Sequence, residues 1–156
     1  MNKPRIALVS CSIRARNDGS DILDGSSAKD ERELKDKMER VLRAKRMCNA
    51  ERGLMTASFG IGNLAEMEYI SLNDYFLPKG NSRNVGELLK KILRADGIIF
   101  STPVYFGHYS SLLSEFFENC RRRNISLMGK VVGFISVGAK RNGGQETTIT
   151  FAGWDL

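Results

Sequence analysis

Four stretches of the chain are apolar over the length of a strand, and most of the intervals between them carry helical spacing. Ile6, Ala7, Leu8 and Val9 make the first strand, within residues 5–10. Residues 97–102 are apolar without alternation, as in a strand covered on both faces of a parallel sheet. Pro103 cannot donate to a sheet ladder, so that strand ends there. Residues 129–137 read as another strand, and the alternating run 67–72 as one nearer a sheet edge.

Between the strands, Leu34, Met38, Val41, Leu42 and Met47 keep helical spacing, with Ser26 or Ser27 as the candidate cap. A more apolar helix runs from about Ala50 through Leu54, Met55 and Phe59, weakened near its end by Gly60 and Gly62. Pro78, Gly80 and Asn81 mark a loop, and residues 85–93 form an amphipathic helix. Ser110 and Ser111 are caps for a helix carrying Leu112, Leu113, Phe116 and Phe117, and a last helix starts near Thr147. Strands separated by helices, with few hairpin turns, predict an α/β fold with a parallel sheet and right-handed crossovers.

In a doubly wound sheet the loops after the first, third and fourth strands meet at the switch point, where such sheets bind ligands. All three are unusual here. The loop over residues 10–20 supplies hydroxyls, amides and a guanidinium that suit a phosphate near a helix amino end. It is neither GxGxxG nor GxxxxGK[ST], which argues against a dinucleotide fold or an NTPase. Pro103, Val104, Tyr105, Phe106 and Gly107 offer a stacking surface with free amides. Residues 138–146 offer a flexible loop with cations, amides and a glutamine.

The 156 residues fit one domain, 1–156. Residues 21–66 exceed a single crossover helix and read as a helical insertion, a lid or a dimer contact over or beside the site. At 42% apolar and 27% charged residues the composition is that of a globular protein. The apolar runs are strand-sized, so a membrane partner is not expected. The first residues enter a strand pattern without a signal-peptide core, which predicts a cytoplasmic protein. Three scattered cysteines without a CxxC pair read as buried or reduced thiols, and one histidine excludes a His-rich metal site. The net charge of +6 is concentrated in residues 40–46 and 121–123, at predicted helix carboxyl ends. No aromatic residues interleave with either cluster, so nucleic acid is not expected as a partner. The positive field favours an anionic ligand.

The run from Ile6 to Arg14, the run from Ala95 to Gly107 and the run from Val137 to Glu146 together resemble the flavodoxin-fold, NADPH-dependent FMN reductase family, in the branch that includes the iron–sulfur flavoproteins. The resemblance implies FMN as cofactor and NAD(P)H as reductant. It implies that Ser12, Arg14 and Ser20 hold the FMN phosphate and that Pro103, Val104, Tyr105, Phe106 and Gly107 line the isoalloxazine ring. Gly138, Arg141, Gly143, Gly144 and Gln145 would approach from the third loop, where Lys140 and Arg141 attract the phosphates of the nicotinamide cofactor. His108 stays outside the set, and no acid–base triad is needed because the flavin supplies the chemistry. The iron–sulfur branch carries a compact cysteine cluster after the second strand. Residues 73–84 have none, and a cluster needs about four thiolates, so no metal site is expected.

The leading expectation is an FMN-dependent NAD(P)H oxidoreductase passing electrons to a small acceptor such as flavin or a quinone. A flavodoxin-type electron carrier is a second reading, though such carriers are usually acidic, and an accessory flavin-fold subunit is a third. A flavodoxin-like sheet has strand order 2-1-3-4-5, and only four strands are legible. With no fifth strand, residues 131–137 form an open apolar edge and Trp154 lacks a covering surface. That predicts either a truncated chain or an edge completed by another subunit, as in a homo-oligomer.

Overall fold

The computed structural model describes residues 2–15, 19–43, 47–76, 84–140 and 143–156. The strands are β1 (Arg5–Ser10), β2 (Glu66–Ser71), β3 (Gly97–Pro103) and β4 (Val131–Val137). They form one parallel sheet in the order β2-β1-β3-β4, the order of a flavodoxin-like sheet over its first four strands. The register aligns Ser10 with Ser71 on one side and with Ser101 on the other.

Helices cover both faces. On one lie α1 (Ser20–Asp24), α2 (Glu31–Arg43) and α3 (Asn49–Ile61), with Ile22, Leu34, Leu54 and Met55 packed against Leu8. On the other lie α4 (Val85–Arg94), α5 (Ser111–Arg122) and α6 (Gln145–Trp154). There Phe100 is fully buried against Phe116, Phe117 and Phe134, at ring-centroid distances of 5.4, 6.1 and 5.5 Å. The unalternating apolar run of β3 follows from this double coverage: Ile98 and Phe100 face α4 and α5, while Ile99 faces α3.

The expected elements are present, with shifted ends. Ser26 and Ser27 do not cap a helix: they lie in a 3₁₀ turn (Gly25–Ser27) and donate to the Leu23 and Asp24 carbonyls. Instead α2 begins at Glu31, where Asp30 Oδ1 accepts the Glu33 amide at 2.8 Å and Glu33 reaches back to the Lys29 amide. Ser110 caps α5 as expected, its Oγ accepting the Leu113 amide. The cation clusters sit at helix ends: Arg40 and Arg43 in the last turn of α2, Arg121 paired with Glu118 and Asp155, and Arg122 with Glu115 and Glu118. Residues 44–46 of the first cluster lie outside the described residues.

Among the described residues no strand pairs with the outer edge of β4, and Val131 and Trp154 are exposed. Among the same residues no helix is long and apolar enough to cross a membrane.

Candidate functional site

The carboxyl ends of β1, β3 and β4 open onto a cavity of about 330 Å³, within the size range of small-molecule sites. The first loop contributes Ser12 and Arg14. A turn shapes it: the Arg14 amide donates to Ser12 Oγ at 3.2 Å and the Ala15 amide to the Ser12 carbonyl at 3.0 Å. Ser12 is thereby buried, while the Arg14 side chain stays exposed at the rim.

The second loop contributes Pro103, Val104 and Tyr105 as one wall. The Val104 amide donates to the Val137 carbonyl at 2.9 Å, which ties this wall to the end of β4. Tyr105 and His108 exchange backbone hydrogen bonds at 2.9 and 3.0 Å around Phe106 and Gly107, whose φ angles are 54° and 78°. Two successive positive φ angles make a tight turn of the I′ kind, in which Phe106 is the unusual residue. Phe106 is fully exposed at its tip. His108 stacks on Phe151 with centroids 5.1 Å apart and does not line the cavity.

The third loop contributes Val137, Gly138 and Ala139. Gln145 turns back into its own loop, donating from Nε2 to the Lys140 carbonyl at 3.0 Å. It occupies the space a Cβ on Gly138 would need. Gly144, at φ 90°, is pressed so closely onto Gly107 that an added Cβ would lie 2.6 Å from the Gly107 Cα. The second and third loops therefore meet backbone to backbone.

Of the residues expected at the site, Ser12, Arg14, Pro103, Val104, Tyr105 and Gly138 line one cavity. Gly107 and Gly144 are outside the lining and meet across the second and third loops, while Gly143 and Gln145 contact Lys140 within the third. Phe106 is at the turn tip, and Ser20 begins α1 and is not among the described lining residues. Arg141 lies outside the described residues.

The remaining wall, Met47, Cys48, Asn49, Ala50 and Arg52, was missed by sequence reasoning. It is the amino end of α3, where orphan amides and the helix dipole favour an anion. A signal for it exists: Glu51 stands three residues after Cys48, and its carboxylate accepts the Cys48 amide at 2.8 Å. Cysteine is not a usual cap, and α1 and α2 separate this segment from the first loop. Burial, reinforced by the Glu51 charge, pushes the Cys48 thiol up, so the thiol there is neutral. Arg52 donates to Asn49 Oδ1 at 2.6 Å, while its buried Nε has no partner among the described residues. A second cavity, of about 250 Å³, lies at the opposite end of the sheet. Its charges are largely paired, Arg5 with Glu66 and Lys91 with Glu68.

These features define a flavodoxin-like α/β protein with a ligand cavity at its topological switch point. Residues 27–151 match the NADPH-dependent FMN reductase family, and the chain belongs to it. An iron–sulfur flavoprotein of Methanocaldococcus jannaschii is 52% identical over 68 residues, 42% of this chain and 35% of that protein. An NAD(P)H dehydrogenase (quinone) of Trichlorobacter lovleyi is 38% identical over 64 residues, 40% of this chain and 31% of that one. The match thus spans about a third of the length of these relatives. Among solved structures, that of the Trp repressor binding protein from Bacillus subtilis superposes with a TM-score of 0.51 at 15% identity. That superposition covers 96% of this chain and 74% of that one, and it shows the shared fold.

The cavity fits the family's flavin. Ser12, Arg14, Asn49 and Arg52 bring hydroxyl, amide and guanidinium groups to one side of it, beside the amino end of α3. Pro103, Val104 and Tyr105 form a flat wall beside it. Among the described residues no three His, Cys, Asp or Glu side chains are grouped to hold a metal ion.

Proposed function

We propose that this chain is an FMN-dependent NAD(P)H oxidoreductase that delivers electrons to a small acceptor of the flavin or quinone class. The observation that carries the reading is the joining, in one cavity, of a cationic donor set with the Pro103, Val104 and Tyr105 wall.

Ser12, Arg14 and the first turn of α3 would hold the FMN phosphate by charge-assisted hydrogen bonds. Pro103, Val104 and Tyr105 would hold the ring system, and the Val104–Val137 backbone bond keeps that wall in register with the third loop. When bound, FMN would supply the hydride and electron chemistry, so the protein's part is positioning and electrostatics. Tyr105 is partly exposed at the mouth, which leaves one face of the wall open to an incoming nicotinamide or acceptor.

The test is the absorption spectrum of the purified protein before and after anaerobic NADPH, with Arg14→Ala in parallel. A bound FMN spectrum that bleaches on NADPH supports the reading. In Arg14→Ala, FMN binding weakens by about 1.5–3 kcal/mol, the scale of a charge-assisted hydrogen bond. Bleaching only by a protein reductase would assign an electron carrier instead. Tightly bound FAD, or unchanged FMN affinity in the variant, would overturn the phosphate assignment.

A further inference from the structure

Beneath the first turn of α3 the sheet is polar where an apolar core is the norm. Ser71, Ser10 and Ser101 stand in register on three adjacent strands, and all three are buried. Ser101 Oγ donates to the Ala50 carbonyl at 2.8 Å. The Ser10 and Ser71 hydroxyls are buried and face the Tyr69 hydroxyl. Glu51, fully buried, lies in the same layer and accepts the Tyr69 hydroxyl at 3.0 Å with one oxygen and the Cys48 amide at 2.8 Å with the other.

A buried carboxylate costs stability unless its donors repay it, and a pair of this kind is weak as a stabilising device. Its geometric effect is definite. Tyr69 comes from β2, Glu51 from α3, and the Cys48 amide is the point at which the chain turns into the helix. The ring of Tyr69 also supports the end of the first loop: a Cβ on Gly19 would lie 2.7 Å from it. Tyr69 therefore supports Gly19, just before α1, and through Glu51 the α3 amino end, which is a wall of the cavity. Burial and the neighbouring Glu51 charge push the Tyr69 hydroxyl up, so it remains a donor.

We propose that Tyr69 and Glu51 are positioning residues for phosphate recognition, holding the amino end of α3 in the arrangement a flavin phosphate needs. The proposal rests on the FMN reading above. Neither residue lines the cavity, and both act through the backbone they fix. The wall formed by Pro103, Val104 and Tyr105 belongs to another strand and loop, and neither residue of the pair is hydrogen-bonded to it. The consequence is selective: the pair governs affinity for the phosphate and leaves the ring site alone.

Titrating the full chain with FMN and with riboflavin, read by flavin fluorescence, separates the two. Tyr69→Phe keeps the ring under Gly19 and removes only the hydroxyl. It is expected to lower FMN affinity about tenfold, the scale of a hydrogen bond to a charged group, and to change riboflavin affinity less than about twofold. Glu51→Ala is expected to lose FMN to a similar extent, and the double variant to lose no more than Glu51→Ala alone. Glu51→Gln keeps an acceptor for the Cys48 amide and is expected to restore most of the affinity, which covers the case of a poorly folded alanine variant. Equal losses for FMN and riboflavin, multiplying losses in the double variant, or an unchanged FMN affinity in Tyr69→Phe would overturn the proposal while the FMN reading stands. A wild-type chain that does not prefer FMN to riboflavin would overturn the phosphate assignment, and this proposal with it.

Discussion

Replacing Gly144 with alanine perturbs the place where the second and third loops touch. The new Cβ would lie 2.6 Å from the Gly107 Cα, whereas ordinary contact begins at 3.4 Å, so the backbones must separate by 0.8 Å. Flexible side chains cannot absorb the clash, because its partner is backbone. The φ of 90° adds a second cost, of roughly 1–2 kcal/mol for an L-residue in a left-handed conformation. Together these give about 2–4 kcal/mol, in the range of strain at a special backbone position. For a chain of this length that lowers Tm by about 5–12 °C.

The functional effect is larger in proportion. A displacement near 1 Å of a positioned group costs on the order of a hundredfold in rate, so NADPH oxidation with a saturating acceptor is expected to fall by roughly ten- to a hundredfold. Differential scanning fluorimetry, flavin titration and steady-state turnover measure the three effects on one preparation. Gly60→Ala is the control of opposite sign. Gly60 lies in α3 with no atom within 4 Å of an added Cβ, and alanine there stabilises by about 0.5–1 kcal/mol. A Gly144→Ala protein with wild-type Tm and wild-type flavin affinity would refute the reasoning, because the loops would then not be in contact in solution.

Phe100→Ala empties the centre of the aromatic cluster on the α5 face and is expected to cost about 3–5 kcal/mol in urea melts; a loss under about 1 kcal/mol would mean that Phe116, Phe117 and Phe134 collapse into the space. Burial pushes the Cys120 thiol up to about 11 from an ordinary 9.0. Its protonated form is thus favoured by folding, and the associated stability is complete below pH 9 and is lost as pH rises from 9 towards 11. Urea midpoints across that window are expected to fall less steeply for Cys120→Ala than for the wild type, and parallel curves would count against the assignment. Elemental analysis of anaerobically purified protein is expected to show no stoichiometric iron, since three thiols cannot supply the four of a cluster; one cluster per chain would require ligands from elsewhere.

The strands and five of the six described helices were legible from residue pattern alone, because burial on two faces leaves an unalternating apolar run and burial on one leaves a helical stripe, whereas the sheet order came only with the family resemblance. The loops that matter were legible for a related reason: Pro103 ends β3, and glycines gather where backbones approach. The short helix α1 was not separable from the polar stretch around it, and the start of α2 was misplaced onto Ser26 or Ser27 because Asp30 and Glu33 also carry a capping pattern. The α3 wall of the cavity was hidden because its residues, Met47, Cys48, Asn49, Ala50 and Arg52, follow two intervening helices. Nothing local marks them as neighbours of Ser12 and Arg14. The hydrogen bond from Gln145 Nε2 to the Lys140 carbonyl is likewise decided by the third loop's own geometry. The polar layer of Ser10, Ser71, Ser101, Tyr69 and Glu51 is of the same kind. Period-two and period-3.6 patterns report which face is buried, whereas contact between distant segments depends on sheet register and on the path of the crossover, which only the folded chain decides.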